Sequence, residues 1–177
     1  MEFEILQREE MFRGRAFEVQ RLALRLPDGR VRPFDLVHHN PSISVIPVTA
    51  DGKLLFVRQY RVGAKAELLE LPAGVMEAGE DPLEGARREL REETGMDAGE
   101  LLRLGQAYLA PGYCDELMYF FLARQLVSAP LEQDDDEFLH LEALPIAEAY
   151  ARARRGEFSD SKTLAALFLA APLIEHS

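Results

Sequence analysis

The stretch Leu71–Met96 reads LPAGVMEAGEDPLEGARRELREETGM. Asp81 is a good N-cap, because a short carboxylate can accept from the free N–H groups of a first helical turn. Pro82 suits the first helical position, and Glu84 stands three residues after the cap. Gly95 supplies a left-handed stop at the other end. The spacing therefore predicts one short helix over Pro82–Thr94. At about 100° per residue, Leu83, Ala86 and Leu90 share an apolar stripe. Glu89, Glu92 and Glu93 fall within one arc of roughly 100° beside it, and Arg87 and Arg91 point away. Three carboxylates on one arc repel one another, so helix stability alone does not put them there. A solvated acidic face is one reading. The other is that the Gly-rich loop PAGVMEAGE brings backbone carbonyls and Glu80 to the same helix, where a hard divalent cation takes carboxylate, water and phosphate oxygens. On residue chemistry alone both readings stay open.

Around this helix the chain reads mainly as strands. Phe17–Leu26 alternates in its second half, Pro27-Asp28-Gly29 gives a turn, and VRPFDLVHH resumes as a strand. Ser42–Val48 and Lys53–Tyr60 flank Asp51-Gly52, a second hairpin signal. Leu101–Leu109 and Leu117–Gln125 look like further strands. A helix is expected from about Pro145 to Arg155, stopped by Gly156, and a last one after Ser159 or Asp160, carrying the apolar run to about Ala171 as a buried helix. No repeat or linker divides the chain. Few, separated helices among many strands make a mixed α/β or α+β domain.

Composition limits the function. The 177 residues carry 20 Lys+Arg against 31 Asp+Glu, a net charge of −11, which argues against broad binding of nucleic acid or an anionic membrane. Cys114 is the only cysteine, so no disulfide forms within the chain, which is compatible with a reduced compartment. The first residues, MEFEILQREEMFRGRA, are acidic where a signal peptide is apolar, and Thr163–Ile174 is too short to span a bilayer. The reading is a soluble, cytoplasmic protein. His38 and His39 would face opposite sides of a strand, His140 and His176 stand alone, and no zinc site is expected. No base or activating group accompanies Cys114, which argues against a cysteine nucleophile.

Gly74, then five residues to Glu80, then seven to Arg88-Glu89-Leu90-Arg91-Glu92-Glu93-Thr94-Gly95-Met96, matches the Nudix box without departure, and the chain resembles the Nudix hydrolases from about residue 40 onward. The resemblance implies an α/β/α sandwich with a mixed sheet, preceded by antiparallel strands. It implies hydrolysis of a nucleoside diphosphate linked to another moiety, with Mg²⁺ or Mn²⁺ as cofactor. Glu89 and Glu93 are then the metal carboxylates, Glu92 a further ligand or the base, and the carbonyl of Ala73 another ligand. Glu80 acts through water or braces the loop, and Arg88 pairs with a box carboxylate.

Outside the box, the run Glu70-Leu71-Pro72-Ala73-Gly74, the approach FVRQYRVGAKAELLELPAG and Pro111, 16 residues past Gly95, resemble the ADP-ribose pyrophosphatase subgroup. That likeness makes Arg58 and Arg61 candidate phosphate or ribose contacts, and Glu70 and Glu116 candidate contacts near the nucleoside. Arg58 and Arg61 read equally well as surface charges on a strand edge, and Pro111 as a turn. In the subgroup a loop carries a glutamate that acts in the hydrolysis. Here that stretch is Asp134-Asp135-Asp136-Glu137, mostly aspartate, which departs from the subgroup and reads equally well as a solvated acidic loop. The resemblance makes Glu137 or Asp135 the candidate base, with Glu92 in their place if neither serves. From ADP-ribose the products would be AMP and ribose 5-phosphate. GDP-mannose, UDP-glucose or a flavin or other dinucleotide are rival substrates, and a non-catalytic ligand sensor is a remote one. The division expected is an N-terminal strand region, residues 1–39, building a homodimer, and a Nudix domain, residues 40–177.

Overall fold

In the computed structural model, which describes residues 2–132 and 138–175, the helix marked by the sequence has both of its expected ends. The Asp81 side chain accepts from the Leu83 N–H at 2.9 Å, and Gly95 closes the helix with φ of 70°, a region that side chains rarely adopt. The elements in chain order are β1 (Glu4–Arg13), β2 (Glu18–Arg25), β3 (Val31–His38), β4 (Ser42–Pro47), β5 (Lys53–Arg61), β6 (Ala66–Glu70), β7 (Ala73–Val75), α1 (Pro82–Thr94), β8 (Met96–Tyr108), β9 (Leu117–Ser128), β10 (His140–Pro145), α2 (Ile146–Arg154) and α3 (Ser161–Ile174).

They form two units. The larger, Ser42–Ala107 with Met118–Ser177, holds a four-stranded sheet in the order β7-β4-β9-β8 and a three-stranded sheet in the order β10-β5-β6. β4 runs parallel to β9 and antiparallel to β7, so the first sheet is mixed. Ile43 and Val45 of β4 and Phe121 and Ala123 of β9 meet Ala86 and Leu90 of α1 in a buried core. Strand alternation turns Ser44 and Ile46 to the opposite face. α3 also packs on β4, and α2 packs on β5, β10 and α3. This is the mixed α+β fold expected from the sequence.

The smaller unit, Met1–Pro41 with Tyr108–Leu117, is the antiparallel sheet β1-β2-β3 and a loop joined to β3, where the Val37 N–H donates to the Tyr113 carbonyl at 2.7 Å. Within it His38 Nδ1 lies 2.7 Å from the Asp115 carboxylate, and β1 is exposed along its whole length.

Two expectations about helix faces need correction. Leu83 does not join the buried stripe and is 39% exposed; the inward face of α1 is Gly85, Ala86, Glu89, Leu90 and Glu93. The helix is thus rotated so that two carboxylates face inward, which is tolerable because the chain supplies polar partners there. Nor is α3 buried all round. It hides Lys162, Thr163, Ala166, Leu167, Ala170 and Ile174 and leaves Phe168 79% exposed.

Candidate active site

Strand β7 and helix α1 build the site. The register sets Gly74 opposite Ile43 and Ala73 opposite Ser44, which lays β7 beside the inward face of α1. A Cβ at Gly74 would fall on the Glu89 carboxylate, so the close approach requires glycine. Glu89 and Glu93, one turn apart, are 7% and 4% exposed. Glu93 Oε2 accepts from the Ala73 N–H at 3.0 Å, fixing the carboxylate to the residue before the box.

Arg88 gathers the other acidic groups. Its Nη1 donates to Glu89 at 2.7 Å and to Glu92 at 2.9 Å, while Nε and Nη2 grip the two oxygens of Glu80 at 2.9 and 3.1 Å. Glu80 also accepts from the Glu77 N–H at 2.9 Å and so braces the loop. The hydrogen bonds from Arg88 hold the Glu80 carboxyl below its ordinary pKa, and those bonds to Glu80 push the guanidinium up. The helical wheel places Arg87 and Arg91 away from the acidic arc; the neutralising charge is Arg88, at the edge of the arc beside Glu92. Arg87 pairs with Asp97, and Arg91 donates to the Ala129 carbonyl at 2.8 Å.

Arg61, Ala73, Gly74, Arg88, Glu89 and Glu92 line one cavity of about 380 Å³. Behind its wall lies a second charged group. Arg61 Nε and Nη2 donate to Glu70 at 2.6–3.1 Å, and Lys162 Nζ donates to the same carboxylate. Glu70 is 1% exposed. Burial alone raises its pKa, but the Arg61 hydrogen bonds and the Lys162 charge outweigh this and hold it below the ordinary value. Lys162 also lies 3.0 Å from Asp160, which caps α3.

The structure therefore brings together Arg61, Ala73, Gly74, Glu80, Arg88, Glu89, Glu92 and Glu93, with Glu70 beneath Arg61. Gly95 sits at the end of α1. Arg58 is directed to Glu142 on β10, at 2.8 Å. In the smaller unit Pro111 lies in the turn closed by the Ala110 carbonyl, and Glu116 lies 3.8 Å from His39 Nδ1. Asp135 and Glu137 lie outside the described residues. Sequence reasoning missed Lys162. Its signal was available: it stands in helical phase with the apolar residues Ala166 and Ala170, where a surface lysine would not.

Among the described residues no three His, Cys, Asp or Glu side chains are already gathered as a metal cluster; Arg88 instead draws Glu80, Glu89 and Glu92 together. The donor chemistry nonetheless fits a hard divalent cation. Glu89 and Glu93 offer buried carboxylate oxygens on one helix face, and the missing Cβ of Gly74 leaves Glu89 its room.

Residues 38–167 match the NUDIX domain. The chain belongs to the Nudix family. It is 32% identical over 169 residues to ADP-ribose pyrophosphatase of Bacillus subtilis (strain 168), a match covering 94% of this chain and 91% of that protein. It is 34% identical over 164 residues to methanol dehydrogenase activator of Bacillus methanolicus, covering 92% and 89%. A crystal structure of ADP compounds hydrolase is similar with a TM-score of 0.87 and 28% identity, covering 99% of this chain and 96% of that one. As a Nudix enzyme the protein is a hydrolase of pyrophosphate bonds, in a family that generally uses divalent metals such as Mg²⁺. No described helix is long and apolar enough to cross a membrane.

Proposed function

We propose that the enzyme hydrolyses the diphosphate of ADP-ribose or a related nucleoside diphosphate sugar in the presence of Mg²⁺, with Mn²⁺ as a substitute. Water adds to one phosphorus, the bridging P–O bond breaks, and ADP-ribose gives AMP and ribose 5-phosphate. The observation that carries the reading is the meeting, in one cavity, of the α1 carboxylates Glu89 and Glu92 with the Arg61 guanidinium. A diphosphate with its cation needs both signs of charge in one place. The likeness to ADP-ribose pyrophosphatase over nearly the whole chain supports the substrate class.

In this reading Glu89, Glu93 and the Ala73 carbonyl hold the metal, with Glu92 a further ligand. When bound, the metal neutralises phosphate charge and lowers the pKa of its water. Arg61 meets the diphosphate or ribose, a role that Arg58, on the other face of β5 and held by Glu142, does not share, and Pro111 and Glu116 belong to the substrate side. The base is Glu92 or a residue of the acidic stretch, Asp135 or Glu137. Glu92 is half-buried on the cavity wall, where Arg88 holds it. Residues 40–177 act as the catalytic domain, and residues 1–39 build a homodimer, a role supported by the fully exposed strand β1. A cytoplasmic location suits the single cysteine, and the charge of −11 leaves nucleic acid and anionic membranes outside the expected partners.

The test is a product assay over ADP-ribose, GDP-mannose, UDP-glucose and flavin dinucleotide, with and without Mg²⁺. Mg²⁺-dependent preference for ADP-ribose is expected. Preference for another diphosphate keeps the chemistry and changes the substrate. No turnover of any diphosphate overturns the reading and leaves a ligand-sensing domain.

A further inference from the structure

The contact between Glu70 and Lys162 has no part in the chemistry above, yet it lies directly behind a residue that does. The register of β5 and β6 pairs Val57 with Glu70 and Arg61 with Ala66. Arg61 is the last residue of β5, and its guanidinium reaches back four positions to Glu70 on the same face of the sheet. A turn follows at once, with Lys65 at φ of 53°. An arginine at such a strand end has many rotamers open to it unless something fixes the head group. Glu70 does so. The Nε–H and one Nη2–H are held by its carboxylate, which leaves the Nη1 donors and the second Nη2–H for an anion in the cavity.

Glu70 needs fixing in its turn, and the first turn of α3 supplies it from two sides. Lys162, 8% exposed, donates to Glu70 and is itself held by Asp160. Thr163 Oγ1 accepts from the N–H of Leu71, the residue next to Glu70, at 2.9 Å, and donates to Asp160 at 2.6 Å. The chain of contacts runs from the cap of α3 through Lys162 and Glu70 to Arg61 without a gap. We propose that Lys162 is a positioning residue: acting through Glu70, it presets the Arg61 guanidinium at the cavity wall for the substrate diphosphate. This rests on the reading that Arg61 meets the diphosphate. It also gives Glu70 a task beneath Arg61 instead of a contact with the nucleoside.

The test is steady-state kinetics of the full chain, with Mg²⁺ and whichever diphosphate of the panel is turned over fastest, on Lys162→Met, Lys162→Arg, Arg61→Ala and the double variant R61A/K162M. Losing the preset orientation is expected to raise KM about tenfold for K162M, with kcat within about twofold, because the cost falls on binding. K162R, which restores the charge and the donor, is expected to return KM to within about twofold of the parent. In the R61A background K162M is expected to add nothing, since its effect passes through Arg61. A K162M effect that multiplies the R61A effect overturns the proposal, as does an unchanged KM in K162M where R61A raises it. An unchanged KM in R61A overturns the assignment of Arg61 and the proposal with it. If K162M does not fold, E70Q/K162M removes the buried Glu70–Lys162 pair as a unit, leaving only the part-exposed Arg61 and Asp160 without that partner. It carries the same expectation of a KM raised about tenfold, an unchanged value overturning the proposal.

Discussion

A methyl group at position 74 would fall on the Glu89 carboxylate, so Gly74→Ala forces either β7 away from α1 or Glu89 into another rotamer. Either change moves the metal donor proposed above while leaving the core of Ile43, Phe121 and Leu90 in place. The expected outcome is a loss of about 100-fold in kcat and a higher Mg²⁺ requirement, read by titrating the rate with Mg²⁺. The thermal midpoint is expected to fall by only about 2–4 °C. Glu93→Gln tests the other donor. Glutamine keeps an oxygen for the Ala73 N–H and nearly the same volume, but removes the charge. The fold is expected to persist while kcat falls at least about 100-fold; near-normal turnover would remove Glu93 from the metal site. The shared face of Glu89 and Glu93 was legible in the sequence because it opposes helix stability, whereas their metal role and the place of Gly74 came only with the resemblance to the Nudix box. The contact of Lys162 with Glu70 was not legible, because the two residues are 92 apart and meet only when α3 docks against β6.

The same distinction appears between elements. Helix α1 was readable to its end residues, because Asp81, Pro82 and Gly95 act locally. Asp81→Ala is expected to cost about 1 kcal/mol in urea unfolding with kcat unchanged, since the cap bonds only the first turn. Strands β1, β6, β7 and β10 were not read as strands. β7 has three residues and exists through its pairing with β4, and the AELLE of β6 has no alternation to mark it. α3 runs past Pro172 because the carbonyl that proline leaves without a donor belongs to Phe168, on the exposed side, while Ile174 beyond it is buried.

The junction of β6 and α3 also sets a pH dependence. The folded pKa of Glu70 lies below its ordinary 4.5, so its ionised form stabilises the fold above that value. The contribution is lost as pH falls from about 4.5 through the lower folded value. Glu70→Gln is expected to cost about 3 kcal/mol at pH 7, by stranding two cations against an amide. Urea midpoints measured from about pH 7 down to 3 are expected to show that difference closing below about pH 4.5. A constant difference would mean that Glu70 is not held as an anion.

At the scale of the whole molecule the open question is what covers β1. The sheet β1-β2-β3 has β1 at one edge, paired among the described residues only to β2, and all ten of its residues are exposed, Ile5, Met11 and Phe12 among them. An edge with free N–H and C=O groups and apolar side chains is a template for another strand, and natural edges that stay unpaired are protected by charge or proline. Three of the five charged residues of β1 are already paired, Glu4 with Arg25 and Glu10 with Arg13, which also meets Glu18 of β2, and Arg8 donates to Gln20. Their protection is therefore weak, and a second copy of the chain is the occupant proposed above. Light scattering is expected to give twice the 20.0 kDa of one chain. Ile5→Lys with Met11→Lys, which adds unpaired charge to the edge, is expected to return the mass to that of one chain without unfolding it, because neither side chain is part of the buried core. A single-chain mass for the unaltered protein at full turnover would show that residues 1–39 serve something other than self-association.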